Sequence, residues 1–110
     1  MTTINYNNEN LKLVASRYMD NGALALALIL EDTGELYNTI TVNVPGTFPM
    51  DPVYDVILDT NNNSAELLQE VINTGLIYRE PYGYTRSGFC TYPIHNLTNA
   101  GIEWADEQLG

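Results

Sequence analysis

The chain has 110 residues, of which 45% are hydrophobic and 16% are charged, with 14 acidic residues against 4 basic ones. This length and apolar content predict a single folded domain rather than a disordered chain. The formal net charge of −10 argues against direct binding to nucleic acid, because contact with a phosphate backbone needs Lys and Arg to displace counterions. The same charge is compatible with a basic partner protein, with metal cations, or with solubility alone.

Targeting and cofactor signals are missing from the sequence. The N-terminal segment MTTINYNNENLK lacks the basic region and apolar run of a signal peptide. The longest apolar run, residues 23–30, is too short to span a bilayer. A single Cys excludes an internal disulfide and a zinc site built on Cys. We therefore predict a cytoplasmic protein without membrane contact and without a cofactor.

The first part of the chain predicts an antiparallel meander. Residues 1–9 are polar and rich in Asn, which predicts a flexible N-terminus. Alternation predicts a strand from Leu11 to about Met19, and Asn21-Gly22 is a strong signal for a tight hairpin. Residues 23–30, ALALALIL, favour a strand by alternation and length, although Ala and Leu are good helix formers. A third strand is predicted over residues 35–44, which are rich in β-branched side chains.

A helix is the clearest element of the second half. Prolines end the meander, and residues 53–58 predict a fourth strand that leads into it. Asn63 or Ser64 is positioned to cap the helix, with Glu66 placed as in a capping box. The apolar side chains that follow share one face, which predicts packing on the sheet, and Gly75 is the expected stop.

The last third predicts a loop over residues 81–88 and a final strand over residues 89–97. Pro93 argues that this strand lies at a sheet edge or carries a bulge. Residues 98–110 form a short helix or a mobile tail. The predicted fold is therefore α+β, with a single domain over residues 10–97. Its antiparallel sheet combines the three-stranded meander with one or two further strands, and one main helix packs on one face.

Several motifs occur together and in order: YMDNG with LALIL, then GELYNTITVNVP, then DTNNN, a short helix ending in GL, and SGFCTYP. In this combination, over roughly residues 10–97, the chain resembles a family of small acidic bacterial proteins of unknown function that are carried on conjugative elements, plasmids and phage. SGFCTYP and DTNNN are the most specific of these motifs. The resemblance implies mobile-element cargo in a bacterial cytoplasm and brings no catalytic residues with it.

Residues 59–70 permit two interpretations. Asp59, Asn61 and Asn63 offer oxygens at positions 1, 3 and 5 of a calcium loop, and Glu70 falls at position 12. Position 6 is Ser64 where such loops need Gly. The alternative is a turn in which Asx side chains bond the backbone and cap the helix.

Cys90 and His95 invite comparison with a nucleophile and its base. On one strand, five residues apart, they point to opposite faces and lie about 16 Å apart. No third group is placed to orient the base. The sequence therefore predicts that Cys90 is a small buried side chain and that His95 is a surface or partly buried strand residue.

Two sets of residues remain as candidate binding sites. The first is an aromatic and basic loop, whose residue types dominate binding hot spots; its members are Tyr78, Arg79, Tyr82, Tyr84 and Arg86. The second is an acidic surface, which could be a solvated face or could mimic nucleic-acid phosphates; its candidates are Asp51, Asp55, Glu66 and Glu70.

The function predicted from these features is that of a non-enzymatic interaction protein of a bacterial mobile element. The specific hypothesis is an acidic inhibitor of the anti-CRISPR or anti-restriction type, bound to the basic channel of a host defence nuclease. One alternative is a small-ligand or nucleotide-binding protein that uses the Tyr/Arg loop. A second alternative is a calcium-binding module at residues 59–70.

Overall fold

A computed structural model describes residues 2–44 and 54–110. Its strands are β1 (Thr3–Tyr6), β2 (Glu9–Arg17), β3 (Leu24–Leu30), β4 (Leu36–Thr39), β5 (Asp55–Ile57), β6 (Gly83–Ser87) and β7 (Cys90–Asn96), and its helices are α1 (Ala65–Asn73) and α2 (Asn99–Leu109). The α+β class is confirmed. The strands form two antiparallel sheets rather than the predicted single one, in the orders β1-β2-β3-β4 and β5-β7-β6.

The first sheet is the predicted meander extended by one strand. The alternating segment at residues 23–30 is a strand, in which Leu24, Leu26 and Leu28 are buried. Leu13 of β2 stands opposite Leu28, so matching faces of the two strands turn toward the core. This segment forms a strand because a strand places these leucines on one face, whereas a helix would have distributed them around its circumference.

The N-terminus forms a strand, where a flexible segment was predicted. Ile4 is buried and pairs with Leu11, and the chain reverses through Asn7 and Asn8, which have φ values of 51° and 64°. Two consecutive residues with positive φ make the turn that matches strand twist, and Asn tolerates it better than most residues. The Asn-rich composition that suggested flexibility is therefore partly a turn signal.

The hairpin between β2 and β3 differs in detail from the predicted two-residue Asn-Gly turn. The Tyr18 N–H donates to the Ala23 carbonyl at 2.8 Å, which closes a four-residue loop. Gly22 alone of the pair has positive φ, at 72°. Asn21 instead uses its side-chain oxygen to accept the Ala23 N–H at 3.0 Å, as Asx side chains do in turns.

The second sheet has β7 at its centre, so the prediction that Pro93 marks a sheet edge was wrong. The Leu58 N–H donates to the Pro93 carbonyl at 3.1 Å, just beyond the end of β5. Backbone groups of one strand residue point to the same side, so the missing N–H of Pro93 also faces β5, where the pairing ends. A bridge between Thr41 and Leu58 joins the two sheets.

Helix α1 begins as predicted and packs on the core. Of the two proposed caps, Ser64 is the one that acts, since its Oγ accepts the Leu67 N–H at 3.1 Å. Leu67, Leu68 and Val71 are buried, whereas Ala65 at the start of the helix is exposed. Gly75 follows the helix with a φ of 82°, the left-handed stop that glycine permits.

Helix α2 is formed, which decides between the helix and the tail predicted for residues 98–110. Thr98 connects the two helices, because its Oγ1 accepts the Gly101 N–H at 3.1 Å and donates to the Gly75 carbonyl at 2.7 Å. Gly101 is buried where α2 crosses Leu76 and Leu97.

Replacing Thr98 with valine is expected to lower the free energy of unfolding by about 1.5 kcal/mol, because the isosteric side chain loses both the helix cap and the bond to Gly75. Chemical denaturation monitored by far-UV circular dichroism measures this change. Thr98→Ser keeps the hydroxyl and should recover most of the loss; equal destabilisation by both variants would contradict the role assigned to Oγ1.

Candidate functional site

The predicted Tyr/Arg loop is largely the edge strand β6. Residues Gly83 to Ser87 pair with β7 in a continuous antiparallel register, from Gly83 opposite Ile94 to Ser87 opposite Cys90. The intervening turn contains Gly88, with a φ of 62°, and the fully exposed Phe89. The alternation of Tyr84, Thr85 and Arg86 is a strand signal that the flanking glycines obscured in the sequence.

The five residues of this set do not converge on one pocket. Tyr84 and Arg86 lie on one face of β6, opposite Pro93 and Thr91. The Tyr82 hydroxyl instead donates to Asp55 Oδ2 at 2.5 Å. The Tyr78 N–H donates to the Asn96 carbonyl, and Arg79 donates weakly to Asn73 Oδ1 at 3.5 Å. The structure therefore brings together Tyr84 and Arg86, whereas Tyr78 and Tyr82 bond to other parts of the second sheet and Arg79 contacts α1.

The acidic candidates also separate. Asp55 is buried and accepts hydrogen bonds from Tyr82 and from Asn96 Nδ2 at 2.8 Å, so its carboxylate belongs to the second sheet rather than to an open surface. Asp51 lies outside the described residues. Glu66 and Glu70 lie one turn apart on α1, which places them on the same side of that helix.

Glu70 borders a polar groove between α1 and β1. The groove has a volume of about 240 Å³ and is lined by Thr3, Ile4, Asn5, Glu70, Asn73 and Thr74. Thr3 also donates to Glu31 Oε2 at 3.5 Å, so a second carboxylate contacts a residue of the groove lining. Lys12, which pairs with Thr3 across β1 and β2, supplies one positive charge nearby. We call Glu31, Glu66, Glu70 and the groove the β1-edge acidic surface.

Sequence reasoning missed the contribution of Thr3 and Glu31 to this surface. Glu31 lies in a turn and Thr3 in a segment predicted to be flexible, and their contact spans 28 positions in the chain. The only signal was the missed alternation of Ile4 and Tyr6, which would have placed β1 beside the helix.

Residues 59–70 have the geometry of an Asx turn. Asp59 Oδ1 accepts the Asn61 and Asn62 N–H groups, each at 3.1 Å, and Oδ2 accepts Asn62 Nδ2 at 2.9 Å. Asn63 is buried, and its amide donates to the carbonyls of Thr39 and Asp59. Two of the oxygens proposed for a calcium loop are thus engaged within the protein, the Asp59 carboxylate by the turn and the Asn63 oxygen by Asn38. No group of three His, Cys, Asp or Glu side chains suited to a metal occurs in residues 2–44 and 54–110.

Cys90 and His95 lie on opposite faces of β7, as predicted. Cys90 packs with Tyr92, Ile94 and Ile57, but it is partly exposed rather than buried. A hydrogen bond with Cys90, together with burial, raises the pKa of Tyr92 above its usual value. His95 is buried on the other face, toward α1, so the prediction of a surface or partly buried position was wrong.

His95 lines a half-open cleft between α1 and β7. The cleft has a volume of about 230 Å³ and is lined mainly by Leu58, Leu68, Ile72, Pro93 and His95. His95 Nδ1 lies 2.9 Å from the Tyr78 carbonyl. A carbonyl oxygen can only accept, so Nδ1 carries the proton and Nε2 of the neutral ring is an acceptor.

The fold and these surfaces define a small α+β protein with two joined antiparallel sheets, two helices and an acidic exterior. The chain belongs to the family described as a domain of unknown function, DUF4313, whose model matches residues 11–106. No curated protein and no solved structure matches it. Neither described helix is long and apolar enough to cross a membrane.

Proposed function

We propose that this protein is a non-enzymatic interaction protein whose β1-edge acidic surface binds a basic surface of a partner protein. The observation that carries the proposal is the groove, in which Glu70 borders a recess wide enough for a side chain, while the Glu31 carboxylate contacts Thr3 of its lining. An Arg or Lys placed there would meet the Glu70 carboxylate and the oxygens of Asn5, Asn73 and Thr74. Arg is well matched to such a recess because its planar fork forms several directed hydrogen bonds.

The wider charge distribution supports the same function. Ten acidic side chains of the described residues are exposed, and they are distributed over turns and helices. A field of one sign speeds the encounter with an oppositely charged partner, and the local groove provides orientation once the two proteins meet.

The specific form of the proposal is an inhibitor of a bacterial host defence nuclease, of the CRISPR or restriction type, encoded by a mobile element. Its support is the small size of the protein, its net charge of −10 and the mobile-element setting that the motif resemblance implies. Carboxylates spaced along an edge can occupy the Lys and Arg sites that otherwise hold DNA phosphates.

Salt dependence and competition with DNA test this proposal. The protein is titrated against a panel of purified CRISPR and restriction nucleases, and the binding constant is measured by calorimetry at several salt concentrations. We expect binding to weaken roughly tenfold between about 50 and 200 mM salt and to be competed by duplex DNA. Binding that is insensitive to salt, or a complex that leaves DNA binding unchanged, would contradict phosphate mimicry.

A small-ligand function is the second candidate. The site that supports it is the cleft between α1 and β7, and not the Tyr/Arg set, whose members are dispersed. The cleft has largely apolar walls, with His95 among a few polar side chains, Thr60, Asn63 and Gln69, which suits a small, mainly apolar molecule with an N–H or O–H donor. A thermal-shift screen of indoles, phenols and nucleobases tests it, because a ligand selective for the folded state raises stability. Ala65→Phe would fill the cleft from an exposed position and should abolish any shift; no shift with any compound counts against this function.

A further inference from the structure

The outer edge of β6 carries backbone groups that are aimed away from its sheet. In the described residues, β6 is the last strand of the order β5-β7-β6. The Pro93 carbonyl accepts the Leu58 N–H on the β5 side, so Pro93 directs no backbone group toward β6. Tyr84 stands opposite Pro93 and Arg86 stands two residues further along. Because backbone direction alternates along a strand, the N–H and C=O groups of Tyr84 and Arg86 point outward, and those of Gly83, Thr85 and Ser87 point to β7.

The side chains of this edge differ from the rest of the surface. Residues 81–102 contain no Asp or Glu and form the longest such stretch in the chain. Tyr84 is 66% exposed, and Arg86 is exposed beside it on the same face. The β1 edge of the first sheet is unlike this one, because it lies beside Glu70 and Glu31. An acidic protein can therefore approach another copy of itself at β6 with least repulsion.

The sequence of β6 is also complementary to itself. Two antiparallel copies centred on Thr85 place Tyr84 opposite the partner's Arg86, and Arg86 opposite the partner's Tyr84. In both copies Tyr84 and Arg86 direct their backbone groups outward. Each Tyr84–Arg86 pair across the interface can therefore form both of its backbone hydrogen bonds. Opposed side chains on one face also bring the guanidinium onto the Tyr ring, within the distance at which a cation and an aromatic face attract.

We propose that this protein forms a two-fold symmetric homodimer by antiparallel pairing of β6, which joins two three-stranded sheets into one of six strands. The interface buries a short strand and little else, so it lies below the size of a permanent dimer. A reversible dimer with a dissociation constant of roughly 10–100 µM is expected.

Sedimentation equilibrium from about 5 µM to 1 mM tests the association. Arg86→Glu places a carboxylate opposite the partner's Tyr84 and should raise the dissociation constant at least tenfold. Arg79→Glu makes the same change of charge outside β6 and is the matched control, expected to stay within about threefold of the unchanged protein. A monomer at 1 mM, or an equal effect of both variants, would overturn the proposal. Circular dichroism of each variant confirms that it is folded.

Disulfide trapping tests the register, in a Cys90→Ser background. Thr85 faces its own copy across the symmetry axis in a pair whose Cα atoms lie about 4.5 Å apart, which suits a disulfide. Thr85→Cys should therefore form a covalent dimer on mild oxidation. The two Ser87 positions would lie about 13 Å apart, so Ser87→Cys is expected to stay monomeric under the same conditions. Cross-linking at Ser87 that equals or exceeds that at Thr85 would overturn pairing about Thr85.

Discussion

Replacing Gly101 with alanine is expected to lower the free energy of unfolding by about 3 kcal/mol, at the upper end of the usual cost of overpacking. A Cβ at this position would fall well inside van der Waals contact with the Leu76 carbonyl oxygen and would lie 3.2 Å from Leu97 Cβ. The Leu76 oxygen cannot move freely, because it accepts the Thr98 N–H at 3.0 Å. Helix α2 would have to shift away from the core to admit one methyl group.

Gly83→Ala is the matched control for this prediction. Gly83 has ordinary negative φ and nothing lies within 4 Å of an added Cβ, so the substitution should change stability by less than about 0.5 kcal/mol. Urea denaturation of both variants measures the difference. Similar stabilities of the two variants would mean that α2 does not approach Leu76 and Leu97 as closely as described.

Replacing Asn63 with alanine is the second large effect, with an expected loss of about 3 kcal/mol in the free energy of unfolding. The buried amide donates to the carbonyls of Thr39 and Asp59, both at 3.0 Å, and its oxygen accepts from Asn38. Truncation leaves several polar groups without their partner inside the protein, which costs more than the net value of the bonds. Strand β4 would then be less firmly tied to the turn before α1.

The neighbouring Asn61 provides the control, measured by the same denaturation experiment. Asn61 is exposed and contributes its backbone N–H to Asp59, a bond that alanine retains. Asn61→Ala should therefore cost less than about 0.5 kcal/mol. A large loss in Asn61→Ala together with a small loss in Asn63→Ala would contradict the arrangement of the Asx turn. Addition of calcium is expected to leave the stability of the unchanged protein the same.

The elements that were predicted well are those in which a single periodicity of apolar side chains continues without interruption. Residues 23–30 alternate over a full strand, and α1 has both a capping Ser64 and a terminating Gly75. The missed strands were short and flanked by turn residues. β1 has four residues and is followed by two Asn residues, and β6 has five, of which the first is a glycine and after which another glycine follows. In such segments, two or three side chains carry the whole alternation, so composition outweighs the pattern.

The candidate sites were less predictable than the fold because they depend on contacts between distant parts of the chain. Tyr82 was grouped with Tyr84 by sequence, but a bend before β6 sends its hydroxyl to Asp55, 27 positions away. Glu70 was predicted as a surface residue, but the groove that it borders was not predicted. The groove lies between α1 and β1, and β1 was not expected to be a strand. Pro93 was predicted to mark a sheet edge or a bulge, whereas it lies in the central strand of the second sheet, and the neighbour that its missing N–H faces depended on the strand order.

The most direct test of the proposed function compares two sets of charge-neutralising substitutions against the same nuclease. One set combines Glu31→Gln, Glu66→Gln and Glu70→Gln on the β1-edge acidic surface. The other combines Glu103→Gln, Asp106→Asn and Glu107→Gln on α2, and each set raises the net charge by three, from −10 to −7. We expect the first set to weaken binding at least tenfold and the second to weaken it less than threefold, as measured by calorimetry. Equal weakening by both sets would mean that overall charge, and not this surface, is responsible for binding.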